Sequence, residues 1–298
     1  VTSPSPFFVS STGGTAGPLP SDAAFSAGVL ETMRAQGGII PLLAGHMARL
    51  ARSAAPAPST LETIHAQAIA IAQQTAGWSQ GARVRLRYGV VQDKTIWDFA
   101  VVPLELKSPW ARGVALTLCS TRVTEEASVS PFATGAAAGE LAEPRNGTAQ
   151  DSLRGCKLLQ RDIYRRAEEE LGALSADVDN GLFQEGMLQD SAGHVIEGLR
   201  SNLLVWRNGH WITPSLRKCG VRGVMLEWLA GRVKIREDDL LIADIEQAEE
   251  LAVCNAVRGV VPVVQLSLEV GAPSGTARVL KNGPATRSVQ AMIADALW

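Results

Sequence analysis

The chain has 298 residues, a formal net charge of −2, 46% hydrophobic and 19% charged residues, the make-up of an ordinary globular protein long enough for two cores. Its arginines are scattered without interleaved aromatics, which argues against nucleic acid. No apolar run approaches the roughly 20 residues that span a bilayer, and the start VTSPSPFF lacks the layout of a signal peptide. Cys119, Cys156, Cys219 and Cys254 stand far apart with no CxxC pair; reduced thiols in a cytoplasmic protein are the plain reading, and no metal site is supported.

In chain order, residues 1–24 are rich in Ser, Pro, Gly and Thr and predict an irregular lead-in with one strand at Phe7–Ser10. FSAGVLETMR (Phe25–Arg34) predicts a strand after Gly28, and the turn Gln36-Gly37-Gly38 before Ile39 and Ile40 predicts a hairpin. Met47, Leu50 and Ala54 share a face of a helix from His46 to Ala54. After a Pro-rich break, Ser59 and Glu62 fit a capping box opening a second helix to about Ala76. Period-two alternation over Arg83–Tyr88 and a run Ile96–Leu104 predict a hairpin turning at Gln92–Lys94, and Val114–Cys119 predicts one more strand. Thr124–Gln150 then loses all periodicity.

A helix from about Lys157 to Leu171 follows, with strands at Val178–Gln184 and Met187–Gln189. Two apolar strands, Asn202–Arg207 and His210–Thr213, flank Asn208-Gly209, a strong hairpin signal. Gly223 opens a helix carrying Val224, Met225, Leu226, Trp228 and Leu229. Glu249–Cys254 and Val260–Leu266 read as strands, and Thr286–Leu297 as a closing helix. The irregular mixture predicts a mixed α/β (α+β) fold of two domains rather than a doubly wound sheet, and no GxGxxG marks a dinucleotide site. The expected division is a small N-terminal α/β domain at 1–118, a linker at 119–150 and a C-terminal domain at 151–298.

Four places offer chemistry. Lys157 is one of six lysines against 22 arginines, and its neighbours Cys156, Leu158 and Leu159 are apolar; a desolvated lysine favours the neutral amine that Schiff-base chemistry requires, although a surface lysine at a helix start is the plainer reading from the residues alone. Arg49 lies on the amphipathic helix beginning at His46, either solvated or presenting bidentate donors to a phosphate. Glu197 interrupts an apolar run, as a buried acid or an exposed turn residue. The helix opening at Gly223 exposes backbone N–H groups at a positive dipole end, a seat for an anion. The Arg83, Arg85, Arg87 face could meet a substrate carboxylate, but a solvated or subunit-contact face is the simpler reading.

The pieces E-G-x-x-S-N-L (Glu197–Leu203), T-P (Thr213-Pro214) and G-V-x-G-V-M (Gly220–Met225), with their spacing, resemble the class IV pyridoxal-phosphate aminotransferases, which include branched-chain and D-amino-acid aminotransferases and a lyase branch. The resemblance covers about residues 25–265 and is thin across 80–150. It implies a two-domain fold type IV enzyme whose residues 151–298 bind pyridoxal 5'-phosphate. It implies Lys157, in KLLQR, as the cofactor-bearing catalytic lysine, and Arg49, in the H-x-x-R-L helix, as a phosphate ligand. It implies Glu197 as partner of the pyridine nitrogen, whose protonated state keeps the ring an electron sink. Asn202 would touch the ring or its neighbours, Val221 would lie on the ring, and the backbone of Val224 and Met225 would hold phosphate.

Asn255 and Ala256 stand where aminotransferases carry a hydroxyl, so a second phosphate contact there must come from backbone or amide. This departure, with Asp162 where branched-chain enzymes carry a tyrosine, favours the aminodeoxychorismate lyase branch, which releases pyruvate to leave p-aminobenzoate for folate synthesis. Thr32 is then a substrate-side hydroxyl or a buried strand threonine. Phe25-Ser26-Ala27-Gly28 lacks the acid usual before the first strand. An aminotransferase of D-amino or branched-chain acids is the alternative, and a non-catalytic binding relative the second. The expected partners are a small amino substrate and a second copy of the chain in a homodimer, with neither nucleic acid nor membrane.

Overall fold

The computed structural model describes residues 4–12, 19–124, 129–132, 155–175, 181–269 and 277–298. The chain divides into two compact units, Val1–Leu106 with Ser128–Gln160, and Lys107–Ala127 with Arg161–Trp298. Both mix helices with sheet, as the irregular alternation in the sequence predicts.

In the first unit, β1 (Phe7–Ser10), β2 (Ala27–Ala35), β3 (Ala82–Val91) and β4 (Lys94–Pro103) form, among the described residues, a four-stranded sheet in the order β1-β4-β3-β2. Between β2 and β3 run α1 (Leu43–Ala54) and α2 (Pro58–Gln74). Met33, Leu50, Ile64, Ile71, Leu86 and Phe99 build the core and are almost wholly removed from water. The β3–β4 hairpin turns through Gln92 and Asp93, both at positive φ, the paired geometry that suits the twist of the flanking strands.

Two expectations fail here. Gln36 and Ile39 form only an isolated bridge, and β2 pairs instead along its length with β3; two residues beyond the turn are too few to compete with a nine-residue register. Nor does Ser59 cap α2: Ala57 is the N-cap, without a side-chain bond, and Pro58 opens the helix. Proline needs no N–H there and arrives with helical φ, so the helix starts earlier than the capping-box signature suggests.

The same unit fixes Lys157. Residues 157–159 lie antiparallel against the start of β2: Leu30 N–H donates to Lys157 O at 2.8 Å, Leu159 N–H to Gly28 O at 2.9 Å, and Val29 faces Leu158. Gly28 permits the approach, since a Cβ on it would stand 2.4 Å from Leu159 Cδ1. The helix expected from Lys157 therefore begins later, as α3 (Asp162–Ser175) in the second unit; Leu158 and Leu159 are apolar because they pack on β2, not because they belong to a helical stripe.

The second unit opens with β5 (Val114–Val123) and, after α3, continues through β6 (Phe183–Asp190), β7 (Val195–Gly198), β8 (Asn202–Arg207), β9 (His210–Pro214), α4 (Val224–Ala230), β10 (Ile235–Asp238), α5 (Ile242–Glu246), β11 (Glu250–Asn255), β12 (Gly259–Ser267), β13 (Arg278–Val279) and α6 (Pro284–Ala296). Among the described residues the sheet has nine strands, in the order β10-β9-β8-β11-β12-β5-β6-β7 with β13 beside β12. The Asn208-Gly209 hairpin forms as predicted, with both residues at positive φ.

β5 departs from expectation. It runs through residues 119–123, which had been expected to begin a linker, and lies parallel to both β12 and β6. Its partners are distant in sequence, so nothing local announces the pairing. The rest of the expected linker lies almost entirely outside the described residues. β6 likewise merges the two short strands expected before His194 into one, residues 178–180 of that expectation lying outside the described residues.

Candidate active site

The residues singled out from the sequence fall into two sets, one in each unit. In the first, Arg49 is buried on α1 and faces Glu31 of β2: its Nε donates to Glu31 Oε1 at 2.8 Å and a terminal nitrogen to Oε2 at 2.5 Å. His46, one turn earlier on α1, places Nδ1 at 2.6 Å from the same Oε2. Burial pushes Glu31 up, but the Arg49 charge and the bonds from His46 and Arg49 outweigh it and hold the carboxyl at about 2. Burial also lowers His46 against the opposing pull of Glu31. A neutral His46 beside an ionised acid must donate from Nδ1, so its Nε2 is an acceptor; that atom is buried and has no partner among the described residues.

Thr32 follows Glu31 and points to the other side of β2, as strand alternation requires. Its Oγ1 accepts a bond from Lys157 Nζ at 3.2 Å. Both side chains are half-buried, and the antiparallel seat on β2 explains the meeting: Lys157 O is tied to Leu30, two residues before Thr32. Arg87 is structural, since it is buried with a bidentate grip on Asp98 at 2.9 and 2.8 Å and a further bond to Asp22. The expectation of a solvated face fails for Arg87, whose guanidinium is buried in an internal ion pair with Asp98.

In the second unit Glu197 is 3% exposed, at the centre of β7. It is a buried acid and not a turn residue. Tyr164 Oη donates to its Oε1 at 2.5 Å, and Val221 N–H to its Oε2 at 3.0 Å. Asn202 Nδ2 donates to Val221 O at 2.9 Å, so the backbone of Val221 is held from both sides. Gly223, the N-cap of α4, lies so close to Asn202 that a Cβ would stand 2.0 Å from Oδ1. The N–H groups of Val224 and Met225 then fall in the first turn of α4, where the helix itself offers no acceptor. Asn202 is opposite Cys254 in the β8–β11 register, which brings Asn255 and Ala256 next in line. Asn255 Oδ1 accepts from Val257 and Arg258 N–H at 3.0 and 2.9 Å, so its amide oxygen closes its own turn.

Three functional-looking groups escaped the sequence reading. Glu31 was visible only as an acid inside an apolar strand, and Tyr164 only as part of a polar helix segment. Glu185, on β6, is fully buried; its Oε1 accepts from Arg200 N–H at 2.8 Å and Ser201 Oγ at 3.2 Å, pinning the turn that joins Glu197 to Asn202. Burial raises Glu185 to about 7 against the pull of those donors and of the Arg200 charge.

The raised acid has a consequence for stability. Between its ordinary value of 4.5 and about 7, the folded chain keeps a proton that the unfolded chain has lost, so stability falls as pH rises through that window. The loss is on the order of 3 kcal/mol. Glu185→Gln, which cannot ionise, should gain that much on the wild type in urea unfolding at pH 8 relative to pH 5. An equal difference at the two pH values would refute the assignment.

The mixed two-domain architecture is that of the fold type IV enzymes. The chain belongs to the amino-transferase class IV family, whose model matches residues 28–266. It is 32% identical over 97 residues to an aminodeoxychorismate lyase from Vibrio harveyi; the match takes in 31% of this chain and spans only 36% of that relative's length. Its fold is similar to that of 4-amino-4-deoxychorismate lyase from Pseudomonas aeruginosa (TM-score 0.71, 24% identity, 97% of this chain and 98% of the other). It is similar too to an aminotransferase from Brucella abortus bound to the cofactor PLP (TM-score 0.69, 18% identity, 97% and 98%). No helix among the described residues is long and apolar enough to cross a membrane.

Proposed function

We propose that the chain is a pyridoxal-phosphate enzyme that eliminates pyruvate from 4-amino-4-deoxychorismate, leaving p-aminobenzoate. The residues present fit the cofactor. A pyridinium needs a carboxylate, and Glu197 is buried with two donors already aimed at it. A phosphate needs fixed donors, and the first unit holds a guanidinium, Arg49, fixed in place by Glu31. In this reading Lys157 carries the cofactor and Arg49 and the N–H groups of Val224 and Met225 hold its phosphate. Val221 covers the ring, Asn202 fixes Val221, and the Asn255-Ala256 turn contributes backbone.

When bound, the cofactor supplies an electron sink. The Lys157 amine takes the proton from the substrate carbon bearing the amino group. The electron pair released there becomes the last double bond of the aromatic ring as the bond from the neighbouring carbon to the enolpyruvyl oxygen breaks; that bond's pair leaves with the oxygen, and the departing enolate gains a proton on carbon to become pyruvate. The observation that carries the lyase reading is the 3.2 Å contact of Lys157 Nζ with Thr32 Oγ1. It sets a hydroxyl beside the base, able to steady the amine and to relay its proton. Asp162 adds less: its exposed side chain pairs with Arg165, so it marks the absence of a tyrosine at that place and nothing more. Four free, buried cysteines suit a reducing compartment such as the cytoplasm, and a homodimer is the proposed assembly.

The deciding assay supplies purified protein and pyridoxal phosphate with aminodeoxychorismate alone, then with L- and D-amino acids plus 2-oxoglutarate. Pyruvate and p-aminobenzoate formed without an acceptor support the lyase. Glutamate formed in the panel, with aminodeoxychorismate untouched, would replace it with the aminotransferase reading, to which the Brucella fold likeness points. A chain that pyridoxal phosphate does not colour would remove both.

A further inference from the structure

Tyr164 belongs to no motif from which the site was recognised, yet it makes the shortest polar contact to Glu197. Its ring enters from the first turn of α3 and is nearly sealed from solvent. The Arg161 guanidinium lies 3.9 Å over the ring face, and Arg161 is itself tied to Leu199 O at 2.8 Å. That clamp leaves the phenol one partner, Glu197 Oε1 at 2.5 Å. The neighbouring groups that bear on this pair include Arg161 and Cys219 on the tyrosine and the Val221 N–H on the acid.

We propose that Tyr164 is the positioning residue that keeps Glu197 ionised and aimed, and so sets how firmly this chain holds a protonated nitrogen heterocycle; the inference rests on the functional reading above. A carboxylate taken out of water is strongly disfavoured unless donors replace the lost solvent. For Glu197 these donors include Tyr164 Oη and Val221 N–H, on different oxygens. The Val221 bond is backbone and survives any substitution of that side chain, so of these two donors Tyr164 is the adjustable one. Burial, and then the adjacent Glu197 charge, push the phenol well above its ordinary value. Tyr164 therefore stays a donor over the whole working range and is not a base. With both oxygens satisfied, the acid has little call for a proton of its own, and the shared proton rests on the heterocycle.

The chain contains two tyrosines, Tyr88 and Tyr164, so protein labelled with 13C at tyrosine Cζ gives two resonances, and Tyr88→Phe assigns them. The Tyr164 resonance should shift in Glu197→Gln while that of Tyr88 stays in place, a readout that needs no cofactor. Adding pyridoxal phosphate to the wild type should also move the Tyr164 resonance. Tyr164→Phe keeps the ring and opens no cavity, but it takes a donor from a buried carboxylate, so its melting temperature should fall without loss of the fold. It should weaken cofactor binding roughly tenfold, the worth of one hydrogen bond to a charge, and displace the pH at which the bound cofactor's visible band changes. Both effects should vanish in a Glu197→Gln background. Wild-type affinity and pH profile in Tyr164→Phe would overturn the inference alone. If that variant does not fold, an unmoved Tyr164 resonance in Glu197→Gln would overturn it equally. A wild-type chain that gives no visible band with pyridoxal phosphate would overturn the functional reading and this inference with it.

Discussion

Glu31→Ala is expected to destabilise the chain by roughly 3–5 kcal/mol, the usual cost of removing one partner from a buried ion pair. The reason is what remains. Arg49 is 4% exposed, and without Glu31 its guanidinium keeps its charge and its burial but loses two hydrogen bonds, while His46 Nδ1 loses its acceptor. The double variant Glu31→Ala/Arg49→Ala should cost less than the sum of the two single ones, because it no longer buries a guanidinium stripped of its Glu31 carboxylate. Urea unfolding of the four proteins measures this directly, and strict additivity would show that the pair is not coupled. The pH dependence runs opposite to that of Glu185. The folded value of Glu31 lies below its ordinary one, at about 2 against 4.5, so its contribution is complete above 4.5 and is lost progressively as the pH falls from there through 2. Acid should therefore weaken the first unit through Glu31, and the rise to neutrality should weaken the second through Glu185.

What the sequence revealed and what it hid divide by range. The β8–β9 hairpin was legible because Asn208-Gly209 states its turn within two residues, and α1 was legible from the spacing of Met47, Leu50 and Ala54. Glu197, Val221 and Asn202 could be named because they lie in short motifs of fixed spacing. Their partners could not. Tyr164 meets Glu197 across 33 positions, Glu185 meets Arg200 across 15, and Arg49 meets Glu31 across 18; no local pattern encodes such a meeting. The same limit explains Lys157. Its apolar flank suggested a helix because periodicity cannot separate a short buried helix from a short extended segment, and only the antiparallel seat on β2 decides. The gap at β5 is of this kind too: a strand placed between two parallel neighbours takes its address from residues more than sixty positions away.

Lys157→Ala should abolish turnover while leaving the fold, the largest activity loss among these substitutions. The side chain is half-buried, and the bonds that tie this segment to β2 are made by the backbone, from Leu30 N–H to Lys157 O and from Leu159 N–H to Gly28 O. Removing the amine therefore leaves those bonds and opens little space, so the urea midpoint should move by under about 1 kcal/mol, as for substitutions that create no cavity and strand no charge. Activity has no such reserve. A positioned base contributes on the order of 10²–10⁴ in rate, and Lys157 would also lose its hold on the cofactor, so pyruvate release should fall by at least about 10⁴. Thr32→Val separates the two parts of the proposal. It keeps Lys157 and the strand but deletes the hydroxyl at 3.2 Å, and should slow pyruvate release with the cofactor still bound. Normal turnover in Thr32→Val would remove the hydroxyl from the reaction, and normal turnover in Lys157→Ala would remove the lysine and the elimination mechanism built on it.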